Sequence, residues 1–96
     1  MLRAFLGMNG WLARLHLLQI FQHMDLPPEF KEPVRKHVLE LARDRNKFVR
    51  AWSYSALHCI ACAYPEYKPE TSRLIQLASE KEAPSVKARL RNLPAL

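Results

Sequence analysis

The stretch from Asp44 to Tyr64 reads DRNKFVRAWSYSALHCIACAY, and the rest of the chain is organised around it. Asp44 and Asn46 supply side chains that favour a turn. The residues after this turn include an apolar stripe at helical spacing, which consists of Val49, Trp52, Ser53, Ala56, Leu57 and Ile60. Small Ala and Ser side chains beside large ones suit close packing against a neighbouring helix. The stretch therefore predicts a turn followed by a buried helix.

Two short motifs recur at a single offset of 37 residues. The sequence Pro28-Glu29-Phe30-Lys31 returns as Pro65-Glu66-Tyr67-Lys68, and Val49-Arg50-Ala51 returns as Val86-Lys87-Ala88. Two separated matches at one offset indicate an internal repeat. We therefore divide the single domain 1–96 into two units, 27–63 and 64–96. Extending the offset backwards makes 1–26 a partial first unit.

Proline positions and apolar periodicity divide the chain into six predicted helices. They are Met1–Gly7, Gly10–Met24, Glu32–Arg45, Asn46–Ala63, Pro69–Lys81 and a last helix that Pro84 opens and Pro94 stops. Only two glycines occur and β-branched residues are scarce. The sequence therefore predicts an all-α fold of antiparallel helix pairs.

Asp44, Val49 and Arg50 carry a resemblance to the HEAT repeat family. That family has an Asp in the turn between its two helices and Val-Arg in the first turn of the second helix. The resemblance covers about two and a half repeats and implies an armadillo-like α-solenoid, or α-α superhelix. A period of 37 lies near the usual ~40–47 for this class. Tetratricopeptide repeats, at ~34, are the near alternative, but their Trp-Leu-Gly-Tyr pattern is absent.

In the family, the turn Asp and the helix Arg stack between repeats as a ladder. The last unit here carries Lys81 and Lys87 at the positions of Asp44 and Arg50. We therefore expect Asp44 either to pair with Arg50 or to cap the turn by accepting from backbone N–H groups.

Both ends of the chain are apolar, whereas solenoids need end units with a polar outer face. Two interpretations remain open. The chain is a fragment of a longer solenoid, which we favour, or its apolar ends are buried by self-association.

Composition restricts the class of protein further. The hydrophobic fraction of 49% is too high for a disordered chain. No run of about 18 apolar residues is present, so we expect no membrane segment. The N-terminus lacks an apolar run with a cleavage signal, and two cysteines without an export signal indicate a reducing compartment. We therefore expect a cytoplasmic protein.

Cys59-Ile60-Ala61-Cys62 is the motif closest to redox or metal chemistry. Redox C-x-x-C motifs lie at a helix N-terminus, where the dipole stabilises a thiolate, but this pair lies near a helix C-terminus. A zinc site with His58 would lack a fourth ligand. No catalytic triad order, paired carboxylates or phosphate loop is visible. We expect no cofactor, no metal and no enzyme activity.

The preferred function is a non-catalytic protein–protein interaction scaffold. By resemblance, the second helices line the concave surface of the solenoid. Arg50, Tyr54 and His58 are spaced four residues apart on the central helix, and Lys87 and Arg91 belong, with Arg89, to a basic helix end. We predict that these five residues contact a protein or peptide partner. The net charge of +6 keeps a second hypothesis open: a DNA-binding protein related to the HEAT-like glycosylases that remove alkylated bases.

Overall fold

The computed structural model describes residues 26–96, and these residues form helices with no β-strand among them. This confirms the predicted all-α class. The two helices predicted before residue 25, and the predicted partial unit 1–26 except for its last residue, lie outside the described residues. Among residues 26–96, no helix is both long enough and apolar enough to cross a membrane.

Four α-helices and two short 3₁₀ helices follow one another along the described chain. The α-helices are α1 (Lys31–Leu41), α2 (Lys47–Ala63), α3 (Lys68–Lys81) and α4 (Pro84–Arg91). The 3₁₀ helices are Pro28–Phe30, before α1, and Pro65–Tyr67, before α3. We call α1 with α2 the first pair, and α3 with α4 the second pair.

Each element of the second pair begins 37 residues after its counterpart in the first. Lys31 and Lys68 begin the first helix of each pair, and α2 and α4 begin at Lys47 and Pro84. The local bonds match too. The Phe30 N–H donates to the Pro27 carbonyl at 3.0 Å, and the Tyr67 N–H donates to the Tyr64 carbonyl at the same distance. The recurring Pro-Glu-aromatic-Lys motif is therefore a local fold, in which a proline opens a 3₁₀ turn that leads into a helix.

The helix predicted to reach Arg45 ends earlier, at Leu41. After Leu41 the backbone tightens, because the Arg43 and Asp44 N–H groups donate to carbonyls only three residues back. The Asp44 carboxylate then accepts from the Asn46 N–H at 2.8 Å. The predicted helix included Ala42 to Arg45, which belong to the turn. Helix propensity alone does not detect the bond between the Asp44 carboxylate and the Asn46 N–H.

Asn46 is the N-cap of α2 rather than its first helical residue. Its side-chain oxygen accepts from the N–H groups of Phe48 at 2.8 Å and Val49 at 3.2 Å. These two donors have no partner within the helix, so the cap satisfies them locally.

The main core lies between the two helices of the first pair and extends to the start of the second. Its buried members are Val34, Val38, Leu41, Val49, Ala56, Leu57, Ile60, Ala61 and Tyr67. Phe30, which corresponds to Tyr67, packs against the same cluster. The two aromatic residues of the repeated motif therefore share one environment.

A second, smaller cluster lies between α2 and the second pair. Ala51 of α2 is buried there with Ala78 of α3 and with Val86 and Leu90 of α4. Because α2 contributes to both clusters, it is the helix that packs against both the first helix of its own pair and the second pair.

Polar side chains join the start of the first pair to the start of the second. Lys31 Nζ lies 3.2 Å from the Glu66 carboxylate, and Arg35 Nη2 lies 2.7 Å from that of Glu70. The guanidinium of Arg35, whose residue is only 9% exposed, also lies 4.4 Å from the centre of the Tyr67 ring. The two ion pairs each link residues 35 apart, so they hold equivalent ends of the two pairs beside each other.

Tyr67 adds a further link between the pairs. Its hydroxyl donates a hydrogen bond to a carboxylate oxygen of Glu32. This bond, with burial and the nearby Glu32 charge, raises the pKa of Tyr67 from 10.0 to about 12, because each disfavours the phenolate.

Truncation of the main core should cost far more than the same change at the surface. Leu57 is 1% exposed, and we predict that Leu57→Ala lowers the free energy of unfolding by about 2–5 kcal/mol in a urea titration. Leu77 is a helical leucine that is 46% exposed, and Leu77→Ala should change stability by no more than about 0.5 kcal/mol. Equal losses in the two variants would contradict the assigned core.

Tyr67 should ionise late in an alkaline titration followed by tyrosinate absorbance. The folded protein holds the Tyr67 proton more tightly than the unfolded chain, so this group's contribution to stability is present below pH 10 and lost as the pH rises towards about 12. Tyr67→Phe should remove the transition near pH 12 and Glu32→Gln should shift it to lower pH, whereas Tyr64→Phe should retain it. Circular dichroism at each pH separates titration from unfolding. The pKa of Tyr54 is also raised by burial, so Tyr54→Phe is the control. A transition near pH 12 that survives Tyr67→Phe and disappears in Tyr54→Phe would contradict the assignment.

Candidate functional site

An aromatic strip with attached cations lies along one side of α2. Phe48 and Trp52 are four residues apart, so they share one face of the helix. The Lys47 ammonium lies 5.5 Å from the centre of the Phe48 ring, and the Arg89 guanidinium lies 3.7 Å from that of Trp52. Both are within the range of cation–π attraction. We call Lys47, Phe48, Trp52 and Arg89 the aromatic–basic strip.

The strip crosses from the first pair to the second. Arg89 belongs to α4 and stands 37 residues after Trp52, the same offset that relates the two pairs. Its Nη1 also reaches the Ser55 hydroxyl of α2 at 3.5 Å. Equivalent positions of α2 and α4 therefore lie side by side at this surface.

The strip leaves apolar surface open to solvent. Phe48 is 48% exposed, although it is a large aromatic residue at the start of a well-packed helix. Trp52 is only partly buried against the main core. Exposed aromatic residues that cluster with arginine are typical of protein interaction surfaces.

Arg50, one of the five predicted contact residues, forms an ion pair that joins the two helix pairs. Its Nε donates to both carboxylate oxygens of Glu82, at 3.1 and 2.9 Å. Its Nη1 donates to the carbonyls of Asp44 at 2.9 Å and Arg45 at 3.0 Å. Arg50 thus connects the turn of the first pair to that of the second. The Asp44 carboxylate accepts from the Asn46 N–H, which is the turn-capping role predicted for it.

Tyr54 lies in a groove between the first helices of the two pairs. The open cavity has a volume of about 390 Å³, and its lining also includes Lys36 and Leu39 of α1, Arg43 of the turn after α1, and Glu70 and Leu74 of α3. Burial, together with the nearby Glu82 carboxylate, raises the pKa of Tyr54, and Arg50 partly offsets this. Tyr54 therefore faces away from the strip that carries Phe48 and Trp52.

His58 is covered rather than available to a partner. It is only 7% exposed, and its Nε2 lies 2.8 Å from the Pro94 carbonyl of the segment that follows α4. A carbonyl only accepts, so Nε2 carries the proton and the Nδ1 of a neutral ring is an acceptor. The Cys62 sulfur lies 3.8 Å from that Nδ1. His58 thus holds the segment after α4 in place, which the spacing of Arg50, Tyr54 and His58 did not indicate.

Lys87 and Arg91 are one turn apart on α4, where Lys87 is half-buried and Arg91 is exposed. Within residues 26–96, no hydrogen bond or ion pair connects either of them to Arg50, Tyr54 or His58. Arg50 and His58 are thus bonded within the fold and Tyr54 lines a groove, so the contacts seen for these three residues do not include Lys87 or Arg91. The structure does assemble Phe48 and Trp52 with Lys47 and Arg89. Trp52 was interpreted as a core residue and Arg89 as part of the basic helix end, whereas Lys47 and Phe48 were not singled out.

The two thiols near the end of α2 are free and differ in environment. Cys59 is partly buried and Cys62 is exposed. Burial, and secondarily the neighbouring Cys62, raises the pKa of the Cys59 thiol. In the described part of the chain, no group of three or more His, Cys, Asp or Glu side chains is arranged to hold a metal ion.

Comparison with protein-family models, with curated protein sequences and with solved structures gives no significant match to this chain.

The two thiols should react at different rates with a disulfide reagent that releases a coloured thiol. The thiolate is the reacting form, and a raised pKa leaves less of it on Cys59 at neutral pH. We predict a fast phase from Cys62 and a phase several times slower from Cys59. Cys62→Ser should remove the fast phase, and Cys59→Ser should leave it. A fast phase retained in Cys62→Ser would contradict the assignment.

Proposed function

We propose that the chain is a non-catalytic scaffold of HEAT-like helix pairs that binds a protein partner through the aromatic–basic strip. Three observations support the repeat architecture: the constant offset between the element starts, the contacts that join equivalent ends of the two pairs, and the packing of α2 against both α1 and the second pair. In a solenoid, each unit covers the apolar side of its neighbour, and the stacked second helices present a continuous surface.

The observation that carries the proposal is the stacking of Arg89 on Trp52 beside an open Phe48. Phe48 is not part of the main core. The strip spans both pairs, because Trp52 belongs to α2 and Arg89 to α4. A surface that continues across units is what an extended partner segment requires. The five residues predicted from sequence are replaced in this role by Lys47, Phe48, Trp52 and Arg89.

The DNA-directed alternative keeps one supporting feature, since cations and aromatic rings also bind nucleic acid. A glycosylase-like reaction, however, needs an acidic residue beside the aromatic side chains. Helices α2 and α4 contain no Asp or Glu. The strip therefore favours binding over base removal.

We also propose a cytoplasmic location, in keeping with a reducing compartment. The two cysteines, Cys59 and Cys62, are free thiols that do not form a disulfide with each other.

Photo-crosslinking tests the proposed surface directly. A benzoylphenylalanine placed at position 48 should capture a discrete protein in a lysate of the source cell, and an excess of unlabelled protein should suppress the adduct. The same residue at position 77 is the matched control, because Phe48 and Leu77 are exposed to a similar degree, 48% and 46%. We expect protease-sensitive adducts from position 48 and none from position 77. Equal labelling at the two positions, or adducts that only nuclease removes, would contradict a protein-binding strip.

A further inference from the structure

Charge is distributed unevenly between the first and second helices of the pairs. Helices α1 and α3 each contain two glutamates: Glu32, Glu40, Glu70 and Glu80. The second helices contain no acidic residue but carry five cations, Lys47, Arg50, Lys87, Arg89 and Arg91. The surface formed by the second helices is therefore positive by composition.

Three glutamates form ion pairs that join the first pair to the second, and these ion pairs do not involve residues of the strip. Glu66 and Glu70 hold Lys31 and Arg35, and Glu82 holds Arg50. Lys47 and Arg89 have no carboxylate within salt-bridge distance among residues 26–96. Their contacts with ring faces orient the cations but do not neutralise them.

The strip has donors left for an anion. A guanidinium has five N–H donors, and Arg89 directs Nη1 at the Ser55 hydroxyl over a long 3.5 Å contact. The planar fork suits a carboxylate, which accepts two parallel hydrogen bonds. Phe48 and Trp52 are about 6 Å apart along the helix axis, by the rise of about 1.5 Å per residue. Two anionic groups with an apolar side chain between them match this spacing.

We infer that the occupant of the aromatic–basic strip is an acidic protein segment that directs carboxylates to Arg89 and Lys47 and an apolar side chain to Phe48 and Trp52. This inference rests on the proposed function and specifies the chemistry of the partner. A single-stranded nucleic acid fits less well, because Lys47 and Arg89 each cover one face of the rings on which bases would stack.

Selection from a displayed library of random peptides about 12 residues long tests the inference without knowledge of the partner. The probe is the library itself, bound to the immobilised full chain at low salt. We expect selected peptides to be enriched in Asp and Glu, together with Leu, Phe or Trp. Fluorescence anisotropy with a selected peptide should show affinity that falls as salt is added. Its analogue with Gln in place of each Glu and Asn in place of each Asp should bind roughly tenfold more weakly or worse.

Charge reversal separates the strip from the overall positive charge. Arg89→Glu should weaken the binding of the selected peptide to the protein roughly tenfold or more. Arg73→Glu makes the same change at an exposed residue of α3 and should leave affinity within about twofold, since distant surface charges are screened. Circular dichroism confirms that both variants fold.

Four results would overturn the inference: no acidic enrichment, equal binding of the amide analogue, equal loss in Arg73→Glu and Arg89→Glu, or tighter binding of oligothymidine than of any selected peptide. Photo-crosslinking at position 48 distinguishes this failure from failure of the proposed function. If position 48 forms protein adducts but the peptide selection shows no preference for acidic residues, the proposed function stands and only the acidic nature of the partner is contradicted.

Discussion

The structure depends on the burial of α2 from more than one side. Leu57 and Ile60 pack in the main core, while Ala51, on the same helix, packs against α3 and α4. Each fully buried Leu or Ile contributes about 1.5–3 kcal/mol relative to an exposed position. No single neighbouring helix could bury both sides of α2. The second pair is therefore part of the first pair's core.

Apolar burial stabilises this arrangement but does not by itself fix how the pairs align. The contacts at the edges do, because they have fixed partners: Lys31 with Glu66, Arg35 with Glu70, and Arg50 with Glu82. An exposed ion pair contributes little stability, typically about 0–1 kcal/mol. Lys31–Glu66 is the most exposed of the three, whereas the Arg35, Arg50 and Glu82 side chains are largely buried. The role of the three ion pairs is to favour the alignment in which equivalent ends meet. Within residues 26–96, none of these glutamates lies within salt-bridge distance of Lys47 or Arg89.

Much of the fold could be predicted from the repeated motif and the apolar periodicity. The 37-residue offset coincides with the starts of both 3₁₀ turns and of all four α-helices. The predicted end of α1 was wrong, because the backbone tightens into a turn directly after Leu41, and apolar periodicity does not show where a helix gives way to such a turn. The resemblance to HEAT repeats stays a prediction.

The candidate site was harder to predict, since helical spacing shows which residues share a face but not what covers that face. Arg50, Tyr54 and His58 do follow one line along α2, yet they meet a glutamate, a groove and the segment after α4, respectively. The offset itself was the missed signal, because it pairs Trp52 with Arg89. If the offset of 37 had been applied to individual side chains as well as to motifs, it would have predicted that Arg89 lies against the Trp52 indole.

The central claim is that two helix pairs stack so that positions 37 residues apart are neighbours. Nuclear Overhauser contacts between the Trp52 indole and the Arg89 side chain in solution test it most directly. The structure predicts strong contacts and an upfield ring-current shift of the Arg89 side-chain protons, because the guanidinium lies 3.7 Å from the ring centre. Contacts confined to each helix pair, with none between Trp52 and Arg89, would contradict the claim.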